Sequence, residues 1–514
     1  MLVLVSFFEY VLKHSTRSNG LKVLLAVSAY YVYKYRGHAI GARRRLDLKQ
    51  PKGAVPLLGH LPLLASVPLD EFYEFLEKQY NEHGPVWSIS LPGFGRMIQI
   101  DSPENFEHVV KTNFANYGKG KLFRDIVKDT SGYGIFASDG ARWKFQRQLA
   151  VNIFNAEAFR EYTRSVFVVV AKEVIGNLGK AADEGTVIDL QTLMLHFTMD
   201  TFGAVTFGES FGCLDDVNRK VQFAEAVDDV LEITVGRLQN PLWKITHRLD
   251  GTAKRAAYLN NLIRSYAQNH LDKRRQEGHH AKKNDFLQFL MEGRDDNDQL
   301  LSDELIIDNI VTFMIAARDT TAHALTWMFY LLLRDGSDPE VVDRVVRETD
   351  EVLGGEDPTY ETHKKQKYTE ACFNEALRVF PVVPRNLRIC ESDDILPDGT
   401  KVYAGEWVSW SSYVMNRSES IWGSDAKEYK PSRWLNTEKP SPSKFNTFHA
   451  GPRICVGQQF ATIEALTVIG MIFQSFNLEL EDPSRVPKYR PSLAFPMVGG
   501  LNVRVTRRFG GATL

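Results

Sequence analysis

One cysteine near the carboxyl end of the chain lies in a setting that favours metal chemistry. Cys455 stands between Gly451 and Gly457 in the segment FHAGPRICVG, residues 448–457, and an apolar helical pattern follows. At the start of a helix, the helix dipole and the free backbone N–H groups stabilise a thiolate. Glycines on both sides remove Cβ atoms and let a flat ligand approach the sulfur. The simpler interpretation is a buried free cysteine in a glycine-rich turn.

A second candidate segment lies inside a long apolar pattern. Residues 303–334 predict one helix that Ser302 caps, and this helix carries ARDTT at 317–321. At about 1.5 Å per residue it is long enough to cross a whole domain. Asp319 and Thr320 in its middle are able to move a proton. A threonine bonded to its own helix carbonyl, beside a paired aspartate, is the simpler interpretation.

The elements that position these residues are predicted to be mostly helical. Helical periodicity dominates residues 103–380, and short strands are predicted near 84–101, 389–408 and 493–505. The predicted fold class is therefore mainly α with small β-sheets.

The composition excludes several classes of protein. The chain has 514 residues, of which 44% are hydrophobic and 25% charged, which is typical of a globular protein with a large core. A formal net charge of -2 provides no basic excess for binding nucleic acid. The four cysteines form no C-x-x-C pair and fit a reducing compartment. Neither a G-x-G-x-x-G loop nor a Walker loop occurs, so no dinucleotide-binding fold is predicted.

The amino-terminal part of the chain has its own pattern. Two apolar stretches, 1–12 and 21–35, are each shorter than the roughly 20 residues that span a bilayer. More positive residues follow the second stretch than precede it, which places the rest of the chain on the cytosolic side of a membrane. We predict a membrane anchor in 1–36, a basic, proline-containing linker in 37–56 and a catalytic domain in 57–514. An amphipathic helix packed on the domain is the alternative.

The pattern F-x-x-G-x-R-x-C-x-G around Cys455 resembles the haem-thiolate signature of the cytochromes P-450. Other segments resemble the same family along about residues 50–510: WKFQR at 143–147 resembles W-x-x-x-R, EALR at 375–378 resembles E-x-x-R, and PSRW at 431–434 resembles the segment that completes an ion-pair cluster with it. The resemblance implies the cytochrome P-450 fold and haem b, iron protoporphyrin IX, with Cys455 as the axial thiolate ligand of the iron.

The resemblance also implies roles for further residues. Those assigned to haem binding, beside Cys455, are Trp143, Arg147, Arg388, Phe448, Arg453 and Gly457. Those assigned to the structural ion-pair cluster are Glu375, Arg378 and Arg433. Asp319 and Thr320 are implied to deliver protons to oxygen, and Ala317 stands where the family usually has glycine.

The activity that the resemblance implies is a monooxygenase reaction, in which one atom of O2 enters a C–H bond of a hydrophobic substrate. The electrons would come from NADPH through a diflavin reductase, with cytochrome b5 as a further candidate partner. Microsomal relatives of this type are anchored in endoplasmic reticulum lipid by the amino terminus, with the catalytic domain facing the cytosol. A haem-thiolate isomerase or dehydratase and a non-enzymatic haem sensor are the remoter alternatives, and the intact pair of Asp319 and Thr320 disfavours both.

Three further segments resemble fungal and plant hydroxylases of alkanes and fatty acids: GIF at 134–136, ARDTT at 317–321 and PRNLR at 384–388. The implied substrate-facing positions are the 117–136 loop, Phe313, Ala316, Ala317, Val382, Val383, Phe495 and Met497. They are apolar and suit a long aliphatic chain, and a steroid or terpenoid equally well.

Three basic residues of the 117–136 loop are candidates for meeting a substrate carboxylate. These are Lys119, Lys121 and Arg124. Ordinary exposed loop charges are the simpler interpretation.

Overall fold

The structure is a computed structural model that describes residues 17–153, 161–217, 221–240, 242–278, 285–295, 298–490 and 492–508. These residues form two compact units. The first combines the described residues up to Asp101 with Ile389–Ser409, and the second combines Ser102–Arg388 with the described residues from Trp410 onward. Most of the described regular structure is helical and the sheets are small, which confirms the predicted fold class.

The helices follow in chain order: α1 (Arg17–Lys34), α2 (Leu61–Ala65), α3 (Phe72–His83), α4 (Pro103–Glu107), α5 (Gly120–Ser131), α6 (Gly140–Ile153), α7 (Val168–Glu184), α8 (Leu190–Phe207), α9 (Gln222–Gln239), α10 (Trp243–Leu249), α11 (Thr252–Glu277), α12 (Phe286–Glu292), α13 (Asp303–Leu333), α14 (Pro339–Leu353), α15 (Tyr360–His363), α16 (Lys367–Val379), α17 (Ser412–Met415), α18 (Glu419–Trp422) and α19 (Gln458–Ser475). The strands are β1 (Val86–Leu91), β2 (Gly95–Ile100), β3 (Tyr117–Gly118), β4 (Val187–Asp189), β5 (Arg385–Cys390), β6 (Asp394–Ile395), β7 (Lys401–Val402), β8 (Trp407–Ser411), β9 (Phe476–Leu480) and β10 (Asn502–Arg507).

The first unit is built on a small sheet. Strands β1 and β2 form an antiparallel hairpin in which Val86 pairs with Ile100. Strand β2 runs parallel to β8, with Met97 opposite Trp407. The predicted strands near 84–101 are therefore confirmed.

Helix α1 carries the second apolar stretch of the sequence. Its side chains Leu25, Tyr30 and Tyr33 are exposed. Within the described ranges, no helix combines the length and the apolar character that crossing a membrane requires. The first apolar stretch, residues 1–12, lies outside the described residues.

The second unit is organised around α13, which matches the predicted helix 303–334 to within one residue. The predicted cap is present, since the backbone N–H of Leu305 donates to the Ser302 hydroxyl at 3.3 Å. Side chains of α13 pack with those of α8, α9, α11 and α12 in one apolar cluster, to which Met199, Val227, Ile263, Leu290 and Met314 belong. Burial on several faces explains why the sequence of this helix is apolar over most of its circumference.

The carboxyl-terminal strands complete a three-stranded antiparallel sheet in the order β4-β10-β9. Strand β10 begins at Asn502, later than the predicted start near 493. Pro496 and the pair Gly499 and Gly500, both with positive φ, interrupt extended structure before that point.

Candidate active site

Cys455 lies in the loop between a 3-10 turn, Gly451–Arg453, and the start of α19. Its backbone N–H donates to the carbonyl oxygen of Phe448 at 2.8 Å. Gly451 has a φ of 65°, and a Cβ there would lie 2.1 Å from the carbonyl oxygen of Val110. At Gly457 a Cβ would meet only the Cys455 sulfur, at 3.9 Å. The first glycine is therefore needed for the fold of the loop, and the second leaves the space beside the sulfur open.

The Cys455 side chain differs from those of the other cysteines. It is exposed, whereas Cys213, Cys372 and Cys390 are buried. Protein atoms nevertheless surround the side chain closely enough that burial raises the pKa of its thiol. The backbone N–H of Gly457 and the charge of Arg147 act in the opposite direction and lower this pKa. A side chain that is both accessible and surrounded lines an open space inside the protein.

Helix α13 has a stripe of accessible side chains in its middle part. Ala316 is exposed, and Phe313, Ala317 and Thr320 are half-buried. Spacings of three and four residues place these four side chains on one helix face. We call this face the open stripe. It consists of small or apolar side chains and one hydroxyl, which is the lining expected of a cavity for an apolar ligand.

A group of buried cations lies in the same unit. Arg388 is 3% exposed and Lys119 is 4% exposed. Burial lowers the pKa of the Arg388 guanidinium to about 9, and the charge of Arg453 adds to this effect. Burial also lowers the pKa of Lys119 well below its usual range, with Arg388 and Arg453 contributing. We call Lys119, Arg388 and Arg453 the cation cluster.

The positive charges of the cation cluster are only partly balanced by carboxylates in the described residues. Asp139 pairs with Arg453 at 2.7 Å and also with Arg124 at 2.8 Å. Arg388 donates to the carbonyl oxygen of Leu387, and no carboxylate within the described ranges pairs with it or with Lys119. Because buried charges are stable only when they are paired, the cluster fits a ligand that carries two carboxylates.

Trp143, Arg147 and Phe448 adjoin these groups. The guanidinium carbon of Arg453 lies 4.6 Å from the centre of the Trp143 ring. Arg147 is half-buried, and the charge of Cys455 opposes the lowering of its pKa by burial. The ring of Phe448 is half-buried and packs edge-on against Phe445. An accessible thiol and two buried cations, Lys119 and Arg388, that pair with no carboxylate within the described ranges together fit haem with its two propionates.

Asp319 and Thr320 each form a hydrogen bond with a nearby residue of their own helix, α13. The Thr320 hydroxyl donates to the carbonyl oxygen of Ala316 at 2.7 Å. Asp319 is 7% exposed and accepts from Nη1 of Arg318 at 2.9 Å. Burial raises the pKa of the Asp319 carboxyl to about 6, although Arg318 opposes the shift. The hydrogen bonds of this segment are therefore those of the simpler interpretation. That interpretation does not include the accessibility of Thr320, which lies on the open stripe.

A buried acid near this segment was not predicted from the sequence. Glu464 on α19 is 1% exposed, and its Oε2 has no hydrogen-bond partner within the described ranges. Burial raises the pKa of its carboxyl well above the usual value, although Thr321 and Thr201 favour the charged form. The available signal was a single carboxylate in an otherwise apolar helix, nine residues after the cysteine.

The predicted structural cluster is assembled in the structure. Glu375 and Arg378 are fully buried, and Nε of Arg378 lies 2.8 Å from Oε2 of Glu375. Arg433 contacts the other oxygen of Glu375 at 3.3 Å. Arg378 also donates to the carbonyl oxygens of Asn416 and Glu428. With its further bonds to Oε1 of Glu375 and to the carbonyl oxygen of Ala426, all five N–H donors of Arg378 are used, so the arginine holds backbone segments together and has no free donor for catalysis.

The proposed substrate positions separate into two groups. Phe313, Ala316 and Ala317 lie on the open stripe. Val383 is half-buried and Val382 is buried.

Phe495 and Met497 belong instead to packed regions. The Phe495 ring lies among the rings of Trp327, Phe380 and Tyr489. Met497 is held through its backbone by the side chain of Gln191.

The three basic residues of the 117–136 loop also differ from one another. Lys121 is exposed and pairs with Asp125 at 3.1 Å, as the simpler interpretation expected. Lys119 is buried in the cation cluster, so for this residue the interpretation as an exposed loop charge is wrong.

Comparison with known proteins gives the family. The family model described as cytochrome P450 matches residues 49–500. A protein named cytochrome P450 monooxygenase cyp1 from Mycosarcoma maydis is 35% identical over 509 residues, which cover 93% of this chain and 78% of the relative. Cytochrome P450 86B1 from Arabidopsis thaliana is 33% identical over 88% of this chain and 85% of its own length. Cytochrome P450 94A1 from Vicia sativa is 31% identical over 80% and 82%. Together with the accessible cysteine and the cation cluster, these matches show that the chain belongs to the cytochrome P450 family.

Proposed function

We propose that the protein hydroxylates a long-chain fatty acid or alkane at a haem-thiolate centre. As a member of the cytochrome P450 family it is a monooxygenase with haem, a cysteine thiolate ligand, and electrons that reach it from NADPH through a reductase. The overall reaction consumes the substrate, O2, NADPH and one proton, and it yields the alcohol, water and NADP+. Haem, when bound, supplies the iron at which O2 is activated.

The residues around the open space are proposed to hold the haem. Cys455 provides the thiolate ligand, and Gly457 leaves the approach to the sulfur free. Phe448 packs beside the ligand loop. The groups proposed to hold the two carboxylates are Trp143, Arg147, Arg388 and Arg453. Their support is the excess of buried positive charge, which two propionates would balance.

Asp319 and Thr320 are proposed to manage protons. Asp319 combines burial with a pKa of about 6, so it exchanges a proton near neutral pH. Thr320 reaches the open stripe, and its hydroxyl is able to leave the carbonyl oxygen of Ala316 and donate toward the cavity. In this proposal Asp319 takes up protons from the solvent side, and Thr320 places them where oxygen reacts.

The open stripe supports an apolar substrate, and the resemblance of segments 134–136, 317–321 and 384–388 to hydroxylases of alkanes and fatty acids favours an aliphatic chain over a steroid. Phe313, Ala316 and Ala317 present an apolar surface without a charged group, directly beside Thr320. Burying an aliphatic chain there contributes about 0.8 kcal/mol per CH2 group. Small side chains at two of the three positions leave room for a chain end to approach the reacting centre.

The membrane setting and the partners are part of the same proposal. A single amino-terminal anchor in the endoplasmic reticulum membrane is proposed within residues 1–36. The exposed apolar side chains of α1 and the basic segment 43–45 after it support contact with lipid, although α1 alone does not have the length and apolar character of a membrane-crossing helix. The catalytic domain then faces the cytosol, where it meets an NADPH-dependent diflavin reductase and cytochrome b5. Membrane lipid also supplies hydrophobic substrates.

The test is a spectral titration of the purified haem protein with hexadecanoic acid, hexadecane, a steroid and a terpene. A substrate that displaces water from the iron shifts the Soret band, so the haem itself reports binding. We expect a saturable shift with hexadecanoic acid or hexadecane. The variant Ala316→Phe should weaken that shift, because it fills the open stripe. A shift with the steroid or the terpene alone would overturn the choice of substrate and leave the monooxygenase assignment in place.

A further inference from the structure

Arg318 connects two helices through one buried guanidinium. Its side chain is 3% exposed, and its Nη1 lies 2.5 Å from Oδ1 of Asp228 on α9 and 2.9 Å from Oδ1 of Asp319 on its own helix, α13. Nη2 lies 3.2 Å from Oδ2 of Asp228. The arginine therefore makes a two-point contact with Asp228 and a one-point contact with Asp319.

The charge of Arg318 is balanced by the carboxylates of Asp228 and Asp319, and the other described titratable groups near it are neutral histidines. His323 also faces the arginine, and burial lowers the pKa of that imidazole to about 3, so it is neutral at physiological pH. Burial lowers the pKa of His196 as well. Within the described ranges, the carboxylates at ion-pair distance from Arg318 are those of Asp228 and Asp319.

The difference between the two contacts has a chemical consequence. A planar guanidinium prefers a two-point contact with one carboxylate. Asp228 occupies that contact, so Oδ2 of Asp319 accepts no bond from Arg318. If Asp228 were absent, the whole guanidinium would be available to Asp319, and a two-point pair would hold both oxygens of Asp319 and favour its ionised form.

We propose that Asp228 is a positioning residue for proton delivery, which keeps one oxygen of Asp319 free by holding Arg318 on α9. This inference rests on the proposed function, in which Asp319 carries protons to the open stripe. Because Asp228 belongs to α9 and Asp319 to α13, proton delivery then depends on the contact between these two helices. A movement of α9 away from α13 would separate Asp228 from Arg318, and the released guanidinium would then bind both oxygens of Asp319 and slow proton delivery.

The test compares Asp228→Asn with Asp229→Asn in the full-length haem protein, reconstituted with reductase and NADPH and supplied with hexadecanoic acid. Asp229 is the matched control, since it is the next carboxylate of the same helix and pairs at 2.7 Å with the exposed Arg255 on α11. For Asp228→Asn we expect the product rate to fall about three- to tenfold, with more hydrogen peroxide per NADPH and a larger solvent kinetic isotope effect. The substrate concentration at the midpoint of the Soret titration should be the same as in the wild type. Asp228→Glu should restore the coupling of NADPH consumption to product formation.

If the contact between Asp228 and Arg318 only stabilises the fold, the expected result is different. Asp228→Asn would then have a lower melting temperature, with a peroxide fraction and an isotope effect equal to those of Asp229→Asn, and this outcome would overturn the proposal. Asp228 is half-exposed, so Asp228→Ser serves as a second variant if the asparagine variant does not incorporate haem. If the wild type does not convert hexadecanoic acid, the choice of substrate fails. Asp228→Asn and Asp229→Asn are then compared by their rates of NADPH oxidation and peroxide formation. The solvent isotope effects on these rates report proton delivery without depending on product formation.

Discussion

Nη2 of Arg388 lies 3.2 Å from Nε2 of His449, so this buried arginine faces a neutral ring instead of an acid. Burial lowers the pKa of the His449 imidazole far below its usual value, and the charge of Arg388 adds to the effect. An arrangement of this kind costs stability unless an anion completes it. The propionates of haem are the anions that the family membership supplies.

Replacing Arg388 with methionine should therefore loosen the haem. A charge-assisted hydrogen bond contributes about 1.5–3 kcal/mol, so we expect haem to dissociate at least about tenfold faster. The measurement is transfer of haem to apomyoglobin. Haem dimethyl ester, which has no carboxylate charge, is the control: the variant and the wild type should release it at similar rates. If the variant released haem and haem dimethyl ester faster than the wild type by the same factor, Arg388 would support the fold and would not bind the propionates.

Replacing Cys455 with serine should abolish the thiolate character of the haem spectrum. The reduced carbon monoxide complex of the variant should lack the red-shifted Soret band, because a hydroxyl is a much weaker electron donor than a thiolate. Cys390→Ser is the matched control, since that thiol is buried and donates to the carbonyl oxygen of Ser392. A normal spectrum for Cys455→Ser would remove the assigned ligand.

Replacing Thr320 with alanine should uncouple oxygen consumption from product formation. The hydroxyl on the open stripe would be lost, so more hydrogen peroxide should form per O2 consumed while the haem spectrum stays unchanged. Thr326→Ala is the control, because Thr326 makes the same bond to the carbonyl four residues earlier but is fully buried. The assigned role fails if both variants show the same peroxide fraction.

The pKa of Asp319 predicts a pH-dependent stability. Burial raises the folded-state pKa to about 6 from an ordinary value of 3.8. The folded state therefore binds more protons than the unfolded state between these values, and the contribution of Asp319 to stability falls as the pH rises through this window. Asp319→Asn removes that contribution. Relative to the wild type, the melting temperature of the variant should rise as the pH increases from about 4 to about 6. A constant difference would contradict the raised pKa.

Much of the site could be predicted because its signals are local. Cys455 with its glycines, the long apolar helix and its capping serine are all evident in short segments, and α13 has the predicted bounds to within one residue. The pair Glu375 and Arg378 is also local, since three residues along a helix share one face.

The remaining features depend on contacts between distant segments. Lys119 resembles an exposed loop lysine in sequence, but it is buried, and its ammonium lies over the rings of Phe123 and Phe136. The charges that act on it there include Arg388 and Arg453, which are more than 250 residues away in the chain. Arg318 has no local signal for its pairing with Asp228, which lies 90 residues earlier. Phe495 fits an apolar pocket by composition, but neighbouring rings take up its surface.

The most direct test of the account is turnover under oxygen-18 gas. The wild-type haem protein is supplied with a diflavin reductase, NADPH and hexadecanoic acid, and the products are analysed by mass spectrometry. We expect one oxygen-18 atom in the new hydroxyl group of the product, none without NADPH, and none with Cys455→Ser. A hydroxylated product whose new oxygen comes from water, or conversion that needs neither O2 nor NADPH, would contradict the monooxygenase account.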